Sequence, residues 1–197
     1  MSEAARPQSS PRLTILFAGH MVDAVDRSVA RFPVAKVDAA ARRIEAALDE
    51  IGAGRDDLAL TQGAAGGDLL FAEACLARGV PLRLLLPLAQ ADFAAASLRP
   101  VAGGAAWEAR FHAVVARLAE PPREAPRVLG PLAAGADPFV RANLWLLDSA
   151  LAYGADRVRC ICLWDGAGSD GPGGTRHLVE AVRAAGGRVV RIDTKSL

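Results

Sequence analysis

Short apolar runs alternate along the chain with longer segments in which apolar residues recur at three- and four-residue intervals. The apolar runs lie at residues 13–18, 58–61, 82–86, 157–164 and 189–192, with a weaker one at residues 127–129. An uninterrupted apolar run is typical of a strand that is covered on both faces of a sheet. The pattern therefore predicts a sheet of about six strands with helices on both faces.

The segments between the strands have the spacing of amphipathic helices. Predicted helices cover residues 37–51, 68–78, 107–118, 140–151 and 175–185. Glycines follow several of them, as expected because glycine readily adopts the left-handed conformation that ends many helices. Strands alternating with helices predict an α/β fold: a three-layer, Rossmann-like, doubly wound and mostly parallel sheet. We expect one such domain over residues 12–197 and a disordered tail over residues 1–11.

Charge and composition exclude several classes of protein. The 197 residues include 23 Lys and Arg against 22 Asp and Glu, a net charge of +1. This balance argues against a nucleic-acid partner, because binding a polyanion by bulk electrostatics needs a surplus of clustered basic residues. No apolar stretch approaches the roughly 20 residues of a membrane span, so we expect a cytoplasmic protein without a membrane partner.

The three cysteines do not have the spacing of a disulfide framework. Their odd number argues against a secreted, disulfide-stabilised fold. Cys160 and Cys162 lie two residues apart on one face of a predicted strand, which is compatible with metal ligation. No histidine or third cysteine lies near them in the sequence, so the expectation is buried structural thiols.

Ligands of doubly wound sheets bind beyond the carboxyl ends of the strands, near a reversal of strand order. The loop that follows the first strand, residues 19–33, is long for a strand-to-helix connection, and long loops in compact domains are often functional. It contributes Gly19, His20, Asp23 and Arg31 as candidate ligand-binding residues. A plain surface insertion is the alternative interpretation of this loop.

The loop after the second strand is rich in small residues and opens a helix. Its candidate ligand-binding residues are Gly63, Ala64, Gly66, Gly67 and Asp68. Small residues let the backbone approach a ligand closely, and the first turn of a helix presents unpaired N–H groups with partial positive charge. This combination favours a phosphate or a carboxylate. In the alternative interpretation, Asp68 only caps the helix.

The loop over residues 164–175 also joins a strand to a helix and is rich in glycine. Its candidate ligand-binding residues are Trp164, Asp165, Gly173, Gly174 and Thr175. The glycine N–H groups and the threonine hydroxyl can bind an anion at the helix start. Asp165 and Asp170 can accept hydrogen bonds from ribose hydroxyls or hold Mg²⁺ beside a bound phosphate; solvated aspartates are the alternative. Two such loops at one sheet edge suggest a nucleotide or a sugar phosphate.

No arrangement of residues typical of a catalytic or metal site is apparent. The sequence has no Ser-His-Asp order, no HExxH motif and no metal-ligand spacing. His112 is expected on the surface of its predicted helix and Glu180 on the solvent side of another. The sequence therefore leaves catalytic residues unassigned; for an enzyme, Asp68, Asp165 or Asp170 could supply the carboxylate.

The stretch over residues 61–87, TQGAAGGDLLFAEACLARGVPLRLLLP, resembles the SLOG superfamily. This Rossmann-like group includes the cytokinin-activating LOG phosphoribohydrolases and the DNA-processing DprA/Smf proteins. The similarity runs over residues 13–192 and includes Gly19-His20 and Gly173-Gly174-Thr175. It is nearest to the SLOG-like domains of bacterial TPR and signalling proteins. The segments that resemble this subgroup are Arg31-Phe32-Pro33, Asn143-Leu144-Trp145 and Trp164-Asp165-Gly166.

The resemblance implies a nucleotide or nucleotide-derived ligand held by the two glycine-rich loops. The sequence departs from the LOG pattern PGGxGTxxE, in which a glutamate follows the threonine by three residues. Here Leu178 holds that position and the acid is Glu180, which points about 200° away on a helix. The departure argues against LOG-type hydrolysis, and the balanced charge argues against DNA binding of the DprA type.

Three hypotheses about function remain. The leading one is a nucleotide-binding module, a sensor or signalling domain whose two glycine-rich loops hold the ligand. The alternative is an enzyme that acts on an N-glycosidic bond, a nucleotide phosphoribohydrolase or a (deoxy)ribosyltransferase, because a carboxylate beside C1′ stabilises oxocarbenium character. The third is an assembly domain that forms a homodimer through exposed Trp107, Phe111 and Trp145, although core positions are the stronger expectation for these residues.

Overall fold

Six strands form one sheet in which every neighbouring pair is parallel. The structure is a computed structural model and describes residues 10–167 and 173–197. Residues 1–9 of the predicted tail and Asp170 lie outside the described residues. The strands are β1 (Thr14–Gly19), β2 (Leu58–Thr61), β3 (Leu82–Leu86), β4 (Arg123–Glu124), β5 (Val158–Leu163) and β6 (Arg188–Ile192). Their order across the sheet is β4-β3-β2-β1-β5-β6.

Helices cover both faces of this sheet. They are α1 (Val37–Glu50), α2 (Gly67–Ala77), α3 (Gln90–Ser97), α4 (Gly104–Val115), α5 (Ala125–Val128), α6 (Pro138–Leu151) and α7 (Thr175–Ala184). Helices α1, α2 and α4 pack on one face, and α6 and α7 pack together on the other. Within the described residues, none of the helices has the length and apolar character needed to cross a membrane.

Strand β1 shows why the sheet is buried on both sides. Ile15 and Phe17 belong to the core under α1, α2 and α4, whereas Leu16 belongs to the core under α6 and α7. Successive side chains of a strand point to opposite faces, so an unbroken apolar run fills two cores at once. The predicted α/β, Rossmann-like, doubly wound fold is confirmed. Cys160 and Cys162 are buried with free thiols, as expected.

The aromatic residues considered for an assembly face lie in the interior. Trp107, Phe111 and Trp145 are all buried in the two cores. Phe111 packs at a tilt against Phe93, with ring centroids 5.8 Å apart. These side chains are therefore unavailable as an exposed dimer surface.

The predicted strand at residues 127–129 is wrong. Those residues lie in and just after the short helix α5, and Val128 and Leu129 are exposed. The strand in this part of the chain is β4, whose residues pair with Leu85 and Leu86. A polar edge strand needs only backbone pairing, so it carries no apolar signal, while the proline at the start of α5 favours a helical first turn.

Helix α3 has no counterpart among the predicted helices. Its sequence, QADFAAAS, is short, and among its large side chains only Phe93 is apolar and buried. An alanine-rich segment of this length gives almost no periodic signal, although alanine itself favours the helix. Phe93 in the first core is what secures α3 to the domain.

The strand order creates a crevice between β1 and β5. After β1 the chain runs outward through β2, β3 and β4 on one side of the sheet, and β5 and β6 lie on the other side. The carboxyl ends of the two central strands coincide, because Gly19 of β1 pairs with Leu163 of β5. The loops that follow these strands diverge to opposite faces, which is the arrangement that opens a ligand site in doubly wound sheets.

Candidate functional site

A cleft of about 360 Å³ opens at the carboxyl ends of β1 and β5. This volume lies near the lower end of the range of about 300–1,000 Å³ that is typical of small-molecule sites. Predicted site residues that line it are Gly19, His20, Arg31, Ala64, Asp68, Trp164, Gly173, Gly174 and Thr175. All three loops identified in the sequence thus contribute to one cavity.

Other predicted residues lie close to the cleft without lining it in the described part of the chain. They are Asp23, Gly63, Gly66, Gly67 and Asp165. Conversely, the cleft is lined by residues that the sequence did not identify as site residues: Phe17, Ala18, Met21, Gln62, Ser97, Asp137, Phe139 and Asn143. Several of the predicted residues outside the wall have structural roles that hold the wall in place.

Asp23 closes the long loop after β1. Its Oδ2 accepts hydrogen bonds from the backbone N–H groups of Arg31, over 2.9 Å, and Phe32, over 3.0 Å. The Asp23 N–H in turn donates to the Phe32 carbonyl over 3.0 Å. Phe32 is fully buried in the first core. The loop is thus pinned at its far end, and this pinning places Arg31 in the cleft wall.

His20 and Asp165 come from different loops and meet at the cleft. His20 Nε2 lies 3.2 Å from Asp165 Oδ1, and the two side chains are 8% and 9% exposed. Burial lowers the pKa of His20 although the hydrogen bond to Asp165 raises it. Burial alone would raise the pKa of Asp165, but the Ala167 N–H, 2.9 Å away, and His20 bring it below its ordinary value. At neutral pH the pair therefore holds a neutral imidazole and an ionised carboxylate.

The N–H groups of the loop after β2 are engaged within the protein. Gly63 and Ala64 donate to Asp68 Oδ2 over 3.1 and 3.4 Å, and Gly67 donates to the His20 carbonyl over 3.2 Å. The Asp68 carboxyl therefore occupies the place that we predicted for a ligand anion. The loop supplies the cleft with a carboxyl group rather than with these N–H groups.

The Asp68 carboxyl titrates well above its ordinary range. It is 6% exposed, and this burial raises its pKa to about 6. The hydrogen bonds that it accepts from backbone N–H groups act in the opposite direction and lower the pKa. A buried carboxyl favours its neutral form because the charged form loses its hydration. Near neutral pH this wall of the cleft can thus carry a carboxyl in either protonation state.

Gly66 is required by the contact between the first two loops. Its φ is +110°, and a Cβ at this position would lie 2.7 Å from the Val22 nitrogen and 3.0 Å from the His20 carbonyl oxygen. Gly66 and Met21 form an isolated antiparallel bridge there. The glycine serves loop-to-loop packing, which explains its place in the sequence motif.

Three helix N-termini converge on the cleft, and two of them carry their own carboxylate. Asp68 lies in the first turn of α2, and Asp137 caps α6 by accepting from Phe139 and Val140, each over 2.8 Å. Helix α7 begins at Thr175 after Gly174, which has no side chain with which to cap it. Of these three helices, α7 is the one that has no acidic side chain at its N-cap or in its first turn, the place where the helix dipole stabilises an anion.

Asn143 connects two of the cleft loops. It donates from Nδ2 to the Gly173 carbonyl over 2.8 Å and accepts at Oδ1 from Gln62 Nε2 over 2.9 Å. Asn143 is 4% exposed, whereas its neighbour Leu144 is 45% exposed. The sequence holds no periodic signal for Asn143, since the three- and four-residue apolar spacing of this helix runs through Leu144 instead.

The described residues contain no group of three His, Cys, Asp or Glu side chains placed to hold a metal ion. Asp165 already accepts from Ala167 and contacts His20. Asp170, the other residue considered for Mg²⁺, lies outside the described residues.

The sequence matches no protein-family profile and no curated protein. The chemistry of the cleft is therefore the basis for a functional assignment.

Proposed function

We propose that the protein binds a nucleotide or nucleotide-derived small molecule in this cleft and acts as a sensor or signalling domain. The observation that carries the proposal is the position of the cleft, at the point between β1 and β5 where the strand order reverses. Doubly wound sheets bind their ligands at this point. The similarity of the two glycine-rich loops to SLOG proteins, for which a nucleotide ligand is expected, supports the same class of ligand.

The charges around the cleft favour a ligand with a single phosphate. Helix α7 offers its N-terminal N–H groups at Gly174 and Thr175, and Arg31 adds a positive charge to the wall. These groups suit one phosphate. Asp68 lies in the first turn of α2 and Asp137 caps α6, so further phosphates would meet carboxylates there. We place the phosphate at α7 and the ribose and base toward Asp68 and Gln62.

Isothermal titration calorimetry tests the proposal with nucleoside monophosphates, cyclic nucleotides and ADP-ribose. We expect saturable binding of at least one nucleoside monophosphate. Arg31→Ala should weaken binding by about tenfold, the loss of about 1.4 kcal/mol, because it removes a charge-assisted contact. Arg99→Ala is the matched control, since Arg99 is exposed and pairs with Glu108 outside the cleft. Folded protein that binds none of these compounds would contradict the proposal.

The second candidate is an enzyme that cleaves an N-glycosidic bond. It is favoured by one observation, a carboxyl with a pKa of about 6 at Asp68 near the His20–Asp165 pair. Titratable groups with displaced pKa values in one cleft are a frequent property of acid–base sites. Release of free base from nucleoside monophosphates, lost in Asp68→Ala and Asp165→Ala, would support this activity. Nucleotide that is unchanged after prolonged incubation would contradict this activity and leave ligand binding as the only proposed function.

A further inference from the structure

Two amide hydrogen bonds in series run along the cleft wall from Gly173 through Asn143 to Gln62. They connect the loop before α7 to the segment after β2 by way of α6. The Asn143 amide is buried and has a partner at both its nitrogen and its oxygen. Gln62 is half-buried and lines the cleft. The series therefore ends on a side chain that a ligand can touch.

The Gly173 end of the series sets the direction of both hydrogen bonds. A backbone carbonyl can only accept, so Asn143 must present its NH₂ group to Gly173. The Asn143 oxygen then faces Gln62, which must donate through Nε2. Turning either amide by 180° would place two acceptors or two donors together, and a buried polar group without its partner is costly. Asn143 thus holds the Gln62 amide in one of its two orientations.

The fixed orientation determines what Gln62 offers to a ligand. A glutamine amide has two N–H donors and two lone pairs on its oxygen, and the bond to Asn143 engages one donor. Among the described residues, this is the only hydrogen bond that the Gln62 side chain makes. Its remaining capacity is mainly that of an acceptor, on Oε1. The Asp68 and Asp137 carboxyls in the same wall also offer acceptor oxygens, so the cleft favours a ligand that presents donors.

We propose that Gln62 is the specificity-determining residue of the cleft and selects nucleotides whose base carries an exocyclic amino group over those with a keto group there. Asn143 is the positioning residue for this selection. The inference depends on the proposed function, since it places a nucleotide in the cleft. An amino group donates to Oε1, whereas a keto oxygen would face another acceptor. Sites built to hydrogen-bond a polar group discriminate strongly against analogues that cannot make the bond.

Two matched pairs of nucleoside 5′-monophosphates test the inference by calorimetry. AMP and IMP differ by an amino against a keto group at position 6 of the purine, and CMP and UMP differ in the same way at position 4 of the pyrimidine. We expect the wild-type protein to bind AMP and CMP at least about tenfold more tightly than IMP and UMP, in line with the gain or loss of one hydrogen bond at Oε1. Gln62→Ala should abolish the preference.

Asn143→Ala should also reduce the preference, because the released Gln62 amide can turn its N–H groups toward a keto oxygen. Gln90→Ala is the matched control, a glutamine outside the cleft, and it should keep the wild-type preference. Circular dichroism and thermal melting establish that each variant is folded. If Asn143→Ala does not fold, Asn143→Leu replaces it, since leucine is close in size to asparagine but cannot accept the hydrogen bond from Gln62.

The outcomes separate this inference from the proposed function. Equal affinity within each pair, or a preference for IMP and UMP, overturns the inference and leaves nucleotide binding in place. A preference that survives Gln62→Ala overturns the assignment to Gln62. A preference that is lost in Gln62→Ala but kept in the folded Asn143→Ala variant overturns the role of Asn143. Binding of ADP-ribose without binding of the four monophosphates also overturns the inference alone. Absence of binding to every nucleotide overturns both.

Discussion

Asp68 couples the stability of the domain to pH. Its carboxyl has a pKa of about 6 in the folded protein, raised by burial, against 3.8 as the ordinary value. Because the folded protein binds this proton more tightly than the unfolded chain, the stabilisation by this group is complete below about pH 4. It is lost as the pH rises through about 6, where the buried carboxyl must ionise.

Asp68→Asn should remove this pH dependence. The asparagine keeps an acceptor oxygen for the Gly63 N–H but cannot ionise. The wild type loses up to about 3 kcal/mol of unfolding free energy, for two pKa units, when Asp68 ionises at high pH. The variant should not show this loss. Urea unfolding at a series of pH values from 4 to 8 measures it as the difference in free energy of unfolding between variant and wild type. The variant should gain on the wild type as the pH rises through about 6. Asp38→Asn, at an exposed position on α1, is the control, and a constant difference across the series would contradict the prediction.

Residue chemistry alone could not assign roles to the acidic candidates. Asp23, Asp68 and Asp165 are equally good acceptors in sequence, and we predicted all three as ligand-binding residues. In the structure Asp23 accepts from its own loop, Asp68 accepts from its own loop while lining the cleft, and Asp165 meets His20 from a distant loop. Which donor a carboxylate finds depends on the path of the backbone, and the residue type does not specify it.

Among the elements, the start of α2 depends on Gly66. Its φ of +110° is unfavourable for any residue with a Cβ, and the atoms that a Cβ would meet belong to the backbone of the neighbouring loop. Backbone atoms cannot move aside as the end of a flexible side chain can. The contact between the loop after β1 and the N-terminus of α2 therefore tolerates only glycine here.

Gly66→Ala should destabilise the protein by more than Gly52→Ala. Gly52 also has a positive φ, +62°, but a Cβ there meets nothing within 4 Å, so its substitution should cost only the left-handed strain of about 1–2 kcal/mol. We expect Gly66→Ala to cost at least about 2 kcal/mol more, measured by chemical denaturation of both variants. Equal losses of stability would show that the two loops separate at little cost.

Helix α6 illustrates a limit of periodicity. Val140, Leu144, Leu147 and Leu151 have the spacing of an apolar stripe, yet Leu144 is exposed and Asn143 takes the inward position. Adjacent positions differ by only about 100° around a helix, so a stripe read from sequence can be rotated by one residue. In the structure Asn143 faces its partners across the cleft, Gln62 and Gly173.

At the scale of the whole molecule, the balanced charge argues against the binding of a polyanion by bulk electrostatics. The net charge is +1, and polynucleotide binding at physiological salt requires basic groups that displace several counterions. We expect no saturable binding of duplex or single-stranded DNA in fluorescence anisotropy at about 0.15 M salt. AMP titrated under the same conditions is the comparison, and DNA binding that falls steeply with added salt would contradict the expectation.

The kind and order of most elements can be derived from the sequence, because burial of an apolar run on both faces leaves a local signal. The five apolar strands, both glycine-rich loops and their position at the carboxyl edge of the sheet follow from that signal. The strand order, by contrast, was decided only in three dimensions, since it depends on which strands pair.

The hydrogen-bonded side chains of the cleft wall were also determined only by tertiary contacts. The amide series joins residues that are 81 and 30 positions apart in the chain, and the His20–Asp165 pair spans 145 positions. No local pattern encodes hydrogen bonds over such separations. Whether a loop N–H group donates to a ligand or to Asp68 likewise depends on tertiary structure. In this fold Asp68 is buried beside the loop, and buried polar groups are almost always hydrogen-bonded.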